Sequence, residues 1–200
     1  WATWCGYCVN EMPALQMLQD KYGDDINIIA LNGGDDKETI EAFMEENGYT
    51  FIHPFDDPAV ATGQGTIAME IIKELPTVDY ILVPVGGGGL AAGVSTLAKL
   101  LNPKIKVIGV EPAGANCLQA SLAAGKPVTL PSVSTIADGT AGKTPGKEIF
   151  PYLQKGLDDV ITVEDDELIV AFLDIVENHK LIVENSGLLT VAALKHLGVT

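Results

Sequence analysis

The sequence predicts an α/β protein: a three-layer, mostly parallel sheet with helices on both faces. Three observations predict it. Short apolar runs of strand length recur at residues 26–31, 80–85, 106–110 and 159–163. Each is followed by a turn and then by a stretch whose apolar residues recur at helical spacing. The run at 80–85 also leads directly into four consecutive glycines and a helix, the layout with which a strand–turn–helix unit grips an anion. Alternating strands and helices of this kind close into parallel sheets that bind ligands at the carboxyl ends of their strands.

Taken in order, residues 1–12 read WATWCGYCVNEM, with Cys5 and Cys8 just ahead of a helix expected over residues 13–22, where Leu15, Leu18 and Tyr22 recur at helical spacing. A cysteine at a helix N-terminus has its thiolate favoured by free N–H groups, and a second cysteine one turn on can resolve a mixed disulfide. Zinc would need two more ligands, and Cys117, His53 and His179 are not at motif spacing; inert cysteines are the other alternative. Residues 26–31 (INIIAL) predict a buried strand. Asp35 with Glu38 predicts a capping box for a helix through Asn47, with Ile40, Phe43 and Met44 inward and Gly48 past its end.

Asp57-Pro58 is a cap followed by a first-turn proline. A helix over 66–75 would bury Ile67, Ile71 and Leu75, and Pro76 ends it. After the strand at 80–85, bare N–H groups of Gly86, Gly87, Gly88, Gly89 and Leu90 can converge on an anion at the start of a helix over 90–101. The glycines are contiguous, so this is neither the dinucleotide fingerprint nor a P-loop; a plain flexible turn is the alternative. A strand at 106–110, a helix over 115–124, a long loop at 131–147 and a short helix at 148–153 follow. The chain closes with a strand at 159–163, an amphipathic helix at 164–179 with Leu168, Phe172, Ile175 and Val176 inward, and a last helix over 188–197. The acidic run from Glu164 to Glu167 reads as a favourable first helical turn.

The bulk numbers exclude several classes. Of 200 residues, 47% are hydrophobic and 20% charged, which is globular rather than disordered. All 12 basic residues are lysine and the net charge is -15, which argues against nucleic-acid binding and against a bidentate arginine clamp. Three cysteines do not make a disulfide scaffold, and no stretch has the length and purity of a membrane span. The N-terminus carries no signal peptide, and Trp1 stands so close to the cysteine pair that a cut chain is expected.

Two resemblances follow from these motifs. WATWCGYC…EMPAL resembles the thioredoxin-like thiol–disulfide reductases, which implies Cys5 as attacking thiol, Cys8 as resolving thiol and Glu11 as an acidic neighbour. Tyr7 stands where that family has proline, and the strand that precedes the motif is missing. Residues 49–198 resemble threonine ammonia-lyase (threonine dehydratase), a pyridoxal-phosphate enzyme of fold type II. The matching runs are FIHPFDDPAVATGQGT, VPVGGGGLAAG, VIGVEPAGANC, TIADG and LIVENSGLLTVAAL. The expected organisation is therefore a hybrid or fragment: residues 1–48 as a thioredoxin-like helix, strand and helix, and residues 49–200 as part of a dehydratase large domain, sharing one sheet.

By the second resemblance, Gly86, Gly87, Gly88, Gly89 and Leu90 cradle the cofactor phosphate, Gly139 lies in the loop passing the cofactor ring, and Glu184 is an active-site acid. Glu111, Ala115 and Cys117 match a cation-binding position in which a thiol is a poor ligand for hard cations, so no metal is expected. The family's Schiff-base lysine belongs to a Ser-x-Lys-x-Arg-Gly motif that this sequence lacks, and its Ser-Gly-Gly-Asn run is also absent. The implied cofactor is pyridoxal 5'-phosphate, held non-covalently at best. The implied partners are an amino-acid substrate and a second copy of the chain, with neither nucleic acid nor membrane. The dehydratase part implies a cytoplasmic protein, the thioredoxin-like part a periplasmic or extracytoplasmic one.

Overall fold

A computed structural model describes residues 1–198. Its contacts divide into two compact units, Trp1–Ile52 and His53–Thr200.

The first unit consists of two helices and an irregular segment. α1 (Gly6–Tyr22) starts seven residues earlier than expected and carries Pro13 in its interior. Its first turn is fixed by a disulfide between Cys5 and Cys8, and Cys5 Sγ accepts the Cys8 N–H as a cap. The expected strand at 26–31 does not form. Its backbone is served by the Gln19 side chain, which donates to Ile26 O and accepts the Ile28 N–H, while Ile29 and Leu31 are 72% and 80% exposed. A strand needs a partner for its N–H and C=O groups, and no other run of strand character lies within this unit. α2 (Lys37–Asn47) is capped by Asp36 rather than Asp35. Asp35 is occupied elsewhere: its carboxylate accepts from Thr3 N, Thr3 Oγ1 and Asn32 Nδ2. Ile40, Phe43 and Met44 are partly buried, and Gly48 ends the helix in the left-handed conformation.

The second unit is the α/β body. α3 (Pro58–Gln64) starts at the Asp57 cap, as the Asp-Pro pair predicts. α4 (Thr66–Glu74) follows at once. Its buried residue is Ala68, with Ile71 and Ile72 against the core; Ile67 and Leu75 lie exposed, so the helix is rotated from the expected face. β1 (Tyr80–Pro84), α5 (Gly89–Leu101), β2 (Lys106–Pro112), α6 (Cys117–Ala124), α7 (Phe150–Gly156), β3 (Asp159–Val163), α8 (Asp165–Asp174) and α9 (Asn185–Ala192) complete it. α8 has the acidic first turn expected, and it also carries a full capping box, with Glu164 and Glu167 serving each other's backbone ends.

The three strands are parallel in the order β1-β2-β3, with Tyr80 opposite Lys106 and Ile108 opposite Asp159. Alternation splits their side chains between two cores. Ile81, Val83, Val85, Val107 and Val160 pack against α3, α4, α5 and α7 on one face; Val110 and Val163, with Leu82 and Ile161, pack against α8 and α9 on the other. The result is three layers with helices on both faces, as the strand–helix alternation predicts. Among the described residues no helix is long and apolar enough to cross a membrane.

The amino ends of the strands are tied by Asp158. It accepts from Lys99 Nζ, Lys106 Nζ and the Val107 N–H. Partial burial pushes its carboxyl up, but these donors outweigh that and hold it at about 2. The site lies at the opposite, carboxyl edge.

Candidate functional site

The four glycines occupy the carboxyl end of β1 and the start of α5. Gly88, at φ 98°, is the N-cap residue, a conformation that costs an L side chain about 1–2 kcal/mol. The amides of the first turn of a helix have no acceptor within it, and the dipole favours negative charge there. The loop's carbonyls, in contrast, are engaged. Gly87 O accepts the Gly146 N–H, Gly88 O accepts the Ala92 N–H, and Gly86 O lies 3.8 Å from Cys117 Sγ. A loop with its carbonyls held by protein and its amides at a helix start is suited to an anion such as a phosphate.

What makes glycine necessary here is the protein itself. A Cβ on Gly86 would stand 3.2 Å from Thr140 Cα; on Gly87, 2.3 Å from the Phe55 ring; on Gly88, 2.6 Å from Leu153; on Gly89, 2.7 Å from Phe55 O. Three other segments close on the loop at these positions, so the space a side chain would need is held by protein.

Gly139 and Glu184 come together beside it. A Cβ on Gly139 would lie 2.9 Å from Ser186 Oγ and 3.7 Å from Glu184 Oε2, and Gly139 O is 3.4 Å from the Cβ position of Gly86. Glu184 is exposed and caps α9 by accepting the Ser186 N–H at 3.1 Å. Buried Thr140 Oγ1 donates to Ala137 O and lies 3.3 Å from Ser186 Oγ, which joins the loop to α9. Sequence reasoning missed Thr140, Ser186 and Phe55. Thr140 adjoins Gly139, Ser186 lies two residues past Glu184, and Phe55 stands in a run it quoted without assigning the residue a role.

Glu111 is fully buried at the end of β2 and accepts the Leu118 and Gln119 N–H groups at 2.7 and 2.8 Å. Burial raises its pKa to about 7 against the lowering effect of those amides and of Cys117. Burial, then the neighbouring Glu111 charge, pushes the Cys117 thiol to about 12. Cys117 is therefore a neutral thiol beneath the loop rather than a nucleophile.

Cys5 and Cys8 belong to the first unit, where they line an open hollow with Trp1, Trp4, Leu31 and Asn32. The remaining expected residues, Gly86, Gly87, Gly88, Gly89, Leu90, Gly139 and Glu184, all belong to the second unit.

Comparison with known proteins places this arrangement. A family model described as pyridoxal-phosphate dependent enzyme matches residues 10–199. L-threonine ammonia-lyase of Geobacter sulfurreducens is 42% identical over 179 residues, covering 90% of this chain and 44% of that protein. The crystal structure of a threonine deaminase from T.th. superposes with a TM-score of 0.78 at 39% identity, over 81% of this chain and 56% of that one. The processed form of threonine deaminase isoform 2 from Solanum lycopersicum gives a TM-score of 0.77 at 35% identity, over 96% of this chain and 54% of that one. The chain spans less than half the length of the curated relatives it matches. The match from residue 10 takes in most of the region expected to be thioredoxin-like, and the comparisons supply no support for such a segment or for a hybrid. With a tetraglycine loop at the carboxyl edge of a parallel sheet and a family match over nearly its whole length, the chain belongs to the pyridoxal-phosphate dependent enzymes and is homologous to their threonine ammonia-lyases.

Proposed function

We propose that this chain forms the cofactor-phosphate end of the active site of a threonine ammonia-lyase, which converts L-threonine to 2-oxobutanoate and ammonia. The observation that carries the reading is the tetraglycine loop, packed by protein on its side-chain face, with its amides at the start of a 13-residue helix. When bound, pyridoxal phosphate supplies an electron sink for the substrate's α-carbon. The chain's own contribution is binding and orientation. The amides of Gly86, Gly87, Gly88, Gly89 and Leu90 hold the phosphate dianion, and the dipole of α5 adds to them. Gly139 leaves the space beside Ser186 and Glu184 open to the rest of the ligand. Glu184, exposed at the α9 cap, borders that space.

The sequence lacks the lysine motif of the family, and Lys143, in the neighbouring loop, is exposed. We therefore read cofactor binding by this chain as non-covalent and its lyase activity alone as weak or nil. Titrating the chain with pyridoxal phosphate tests both parts. Saturable binding that dialysis reverses is expected; stoichiometric retention after borohydride reduction overturns the non-covalent reading, and no binding at all overturns the phosphate site.

A second reading rests on the Cys5–Cys8 disulfide at the start of α1. A helix N-terminus favours a thiolate once such a bridge is reduced, which allows thiol–disulfide exchange. Insulin reduction by the chain and by Cys5→Ser decides it: equal rates end the reading.

A further inference from the structure

We propose that residues 53–57 form a clasp that holds the phosphate loop in its binding shape, with Asp56 as the positioning residue and Phe55 as the wedge. The proposal rests on the phosphate-site reading above and assigns that site its support. The Asp56 carboxylate accepts three consecutive backbone amides from more than ninety residues away: Lys147 N at 2.9 Å, Glu148 N at 2.8 Å and Ile149 N at 3.2 Å. The residue before them, Gly146, donates its N–H to Gly87 O at 2.9 Å. One carboxylate thus fixes the segment that in turn fixes the second glycine of the loop. The approach is close, since a Cβ on Gly146 would stand 2.3 Å from Asp56 Oδ1.

Phe55 works on the loop directly. Its ring occupies the place of a Gly87 side chain, and its backbone occupies that of a Gly89 side chain. The turn carrying both residues is itself fixed. His53 Nδ1 accepts the Asp56 N–H at 2.8 Å and the Phe55 N–H at 3.3 Å, and the His53 and Phe55 rings meet edge to face at 4.7 Å. Downstream, Asp57 caps α3 by accepting the Ala59 N–H at 2.7 Å. The loop is therefore gripped on its side-chain face by Phe55 and on the Gly87 carbonyl by Gly146, which leaves its amide edge to the ligand. Asp56 acts through these contacts, because both its oxygens are taken by protein amides.

Two substitutions grade the effect. Asp56→Ala leaves all three amides unserved, whereas Asp56→Asn keeps one acceptor oxygen and loses the charge, which makes its remaining hydrogen bonds weaker. Hydrogen exchange of the cofactor-free full chain is the first measurement. Amides 146–149, and Ala92, whose acceptor is Gly88 O, are expected to exchange about tenfold or more faster in Asp56→Ala and less so in Asp56→Asn, with β2 amides unchanged. Calorimetric titration with pyridoxal phosphate, inorganic phosphate and pyridoxal is the second. The variants should lose about tenfold in affinity for the two phosphate ligands and little for pyridoxal. Unchanged exchange at Gly146 and Ala92 in either folded variant overturns the clasp, and so does an equal loss for pyridoxal and pyridoxal phosphate. If Asp56→Ala does not fold, Asp56→Asn carries both measurements. A wild-type chain that binds no phosphate ligand would sink the cofactor reading, while the exchange data would still decide the clasp.

Discussion

The two units, each taken by itself, show how differently one kind of sequence signal can end. Residues 26–31 and residues 80–85 are both short apolar runs followed by glycines and a helix. The second is a strand, paired along its length to β2 and buried alternately on two cores. The first is irregular and largely exposed. Composition does not separate them. The difference is that β1 has a neighbour 26 residues on to take up its backbone groups, and the first unit offers only a glutamine side chain and the chain near Trp1. A strand is a property of a pair, whereas a capped helix such as α2 is close to a property of one segment.

Substitutions can break or sharpen that contrast. The largest effect is expected in the core that β3, α8 and α9 share. Leu168→Ala should cost about 2–5 kcal/mol in denaturant unfolding, while Leu31→Ala, at an 80% exposed position, should stay within about 0.5 kcal/mol. Comparable costs at the two positions would mean that residues 26–31 are packed after all. Next comes Gly88→Ala, which meets both a left-handed backbone and Leu153 at 2.6 Å, for about 2–3 kcal/mol. A neutral result there would contradict the packing of α7 on the loop.

Asp158→Asn should cost about 1–3 kcal/mol by weakening three charge-assisted contacts at the amino end of the sheet. Its pH dependence has a definite sign. The folded carboxyl sits at about 2 against an ordinary 3.8, so its contribution is complete above that ordinary value and is lost as pH falls toward 2. Acid unfolding curves of wild type and Asp158→Asn should converge in that window and stay parallel above it. The smallest effect belongs to Gly6→Ala at the start of α1, where a Cβ meets nothing within 4 Å. It should stabilise by up to about 1 kcal/mol, read as a small rise in the helical signal of the first unit on heating.

How much of this was legible depended on how local each cause was. Asp57-Pro58 announced α3, and the acidic run at 164–167 announced the first turn of α8, because a cap and its amide lie within one turn. The choice between Asp35 and Asp36 was not legible, since it turned on Thr3, 32 residues back. The inward face of α4 was misjudged for a related reason: a small residue, Ala68, takes the buried position where the core comes closest, which hydrophobic spacing alone does not rank. The tetraglycine is plain in the sequence, but its neighbours Phe55, Asp56, Thr140 and Ser186 carry no pattern of their own. Two of these approach one another across 46 residues, and Asp56 reaches across 91 to 93.

By itself, then, the sequence determined the α/β class, the strand–glycine–helix unit at 80–101, the Asp57 cap of α3, the Gly48 end of α2 and, through the runs around the glycines, the resemblance to threonine ammonia-lyases. All of these are written in residues adjacent along the chain or repeated at a fixed spacing. Tertiary structure alone decided that residues 26–31 are not a strand, that Glu184 serves as a helix cap beside Gly139, and that Phe55 and the segment bound by Asp56, some thirty residues before the tetraglycine loop and some sixty after it, both contact that loop. Those outcomes depend on which distant groups arrive to satisfy a backbone amide or fill the space above a glycine, and one-dimensional spacing does not encode that arrival.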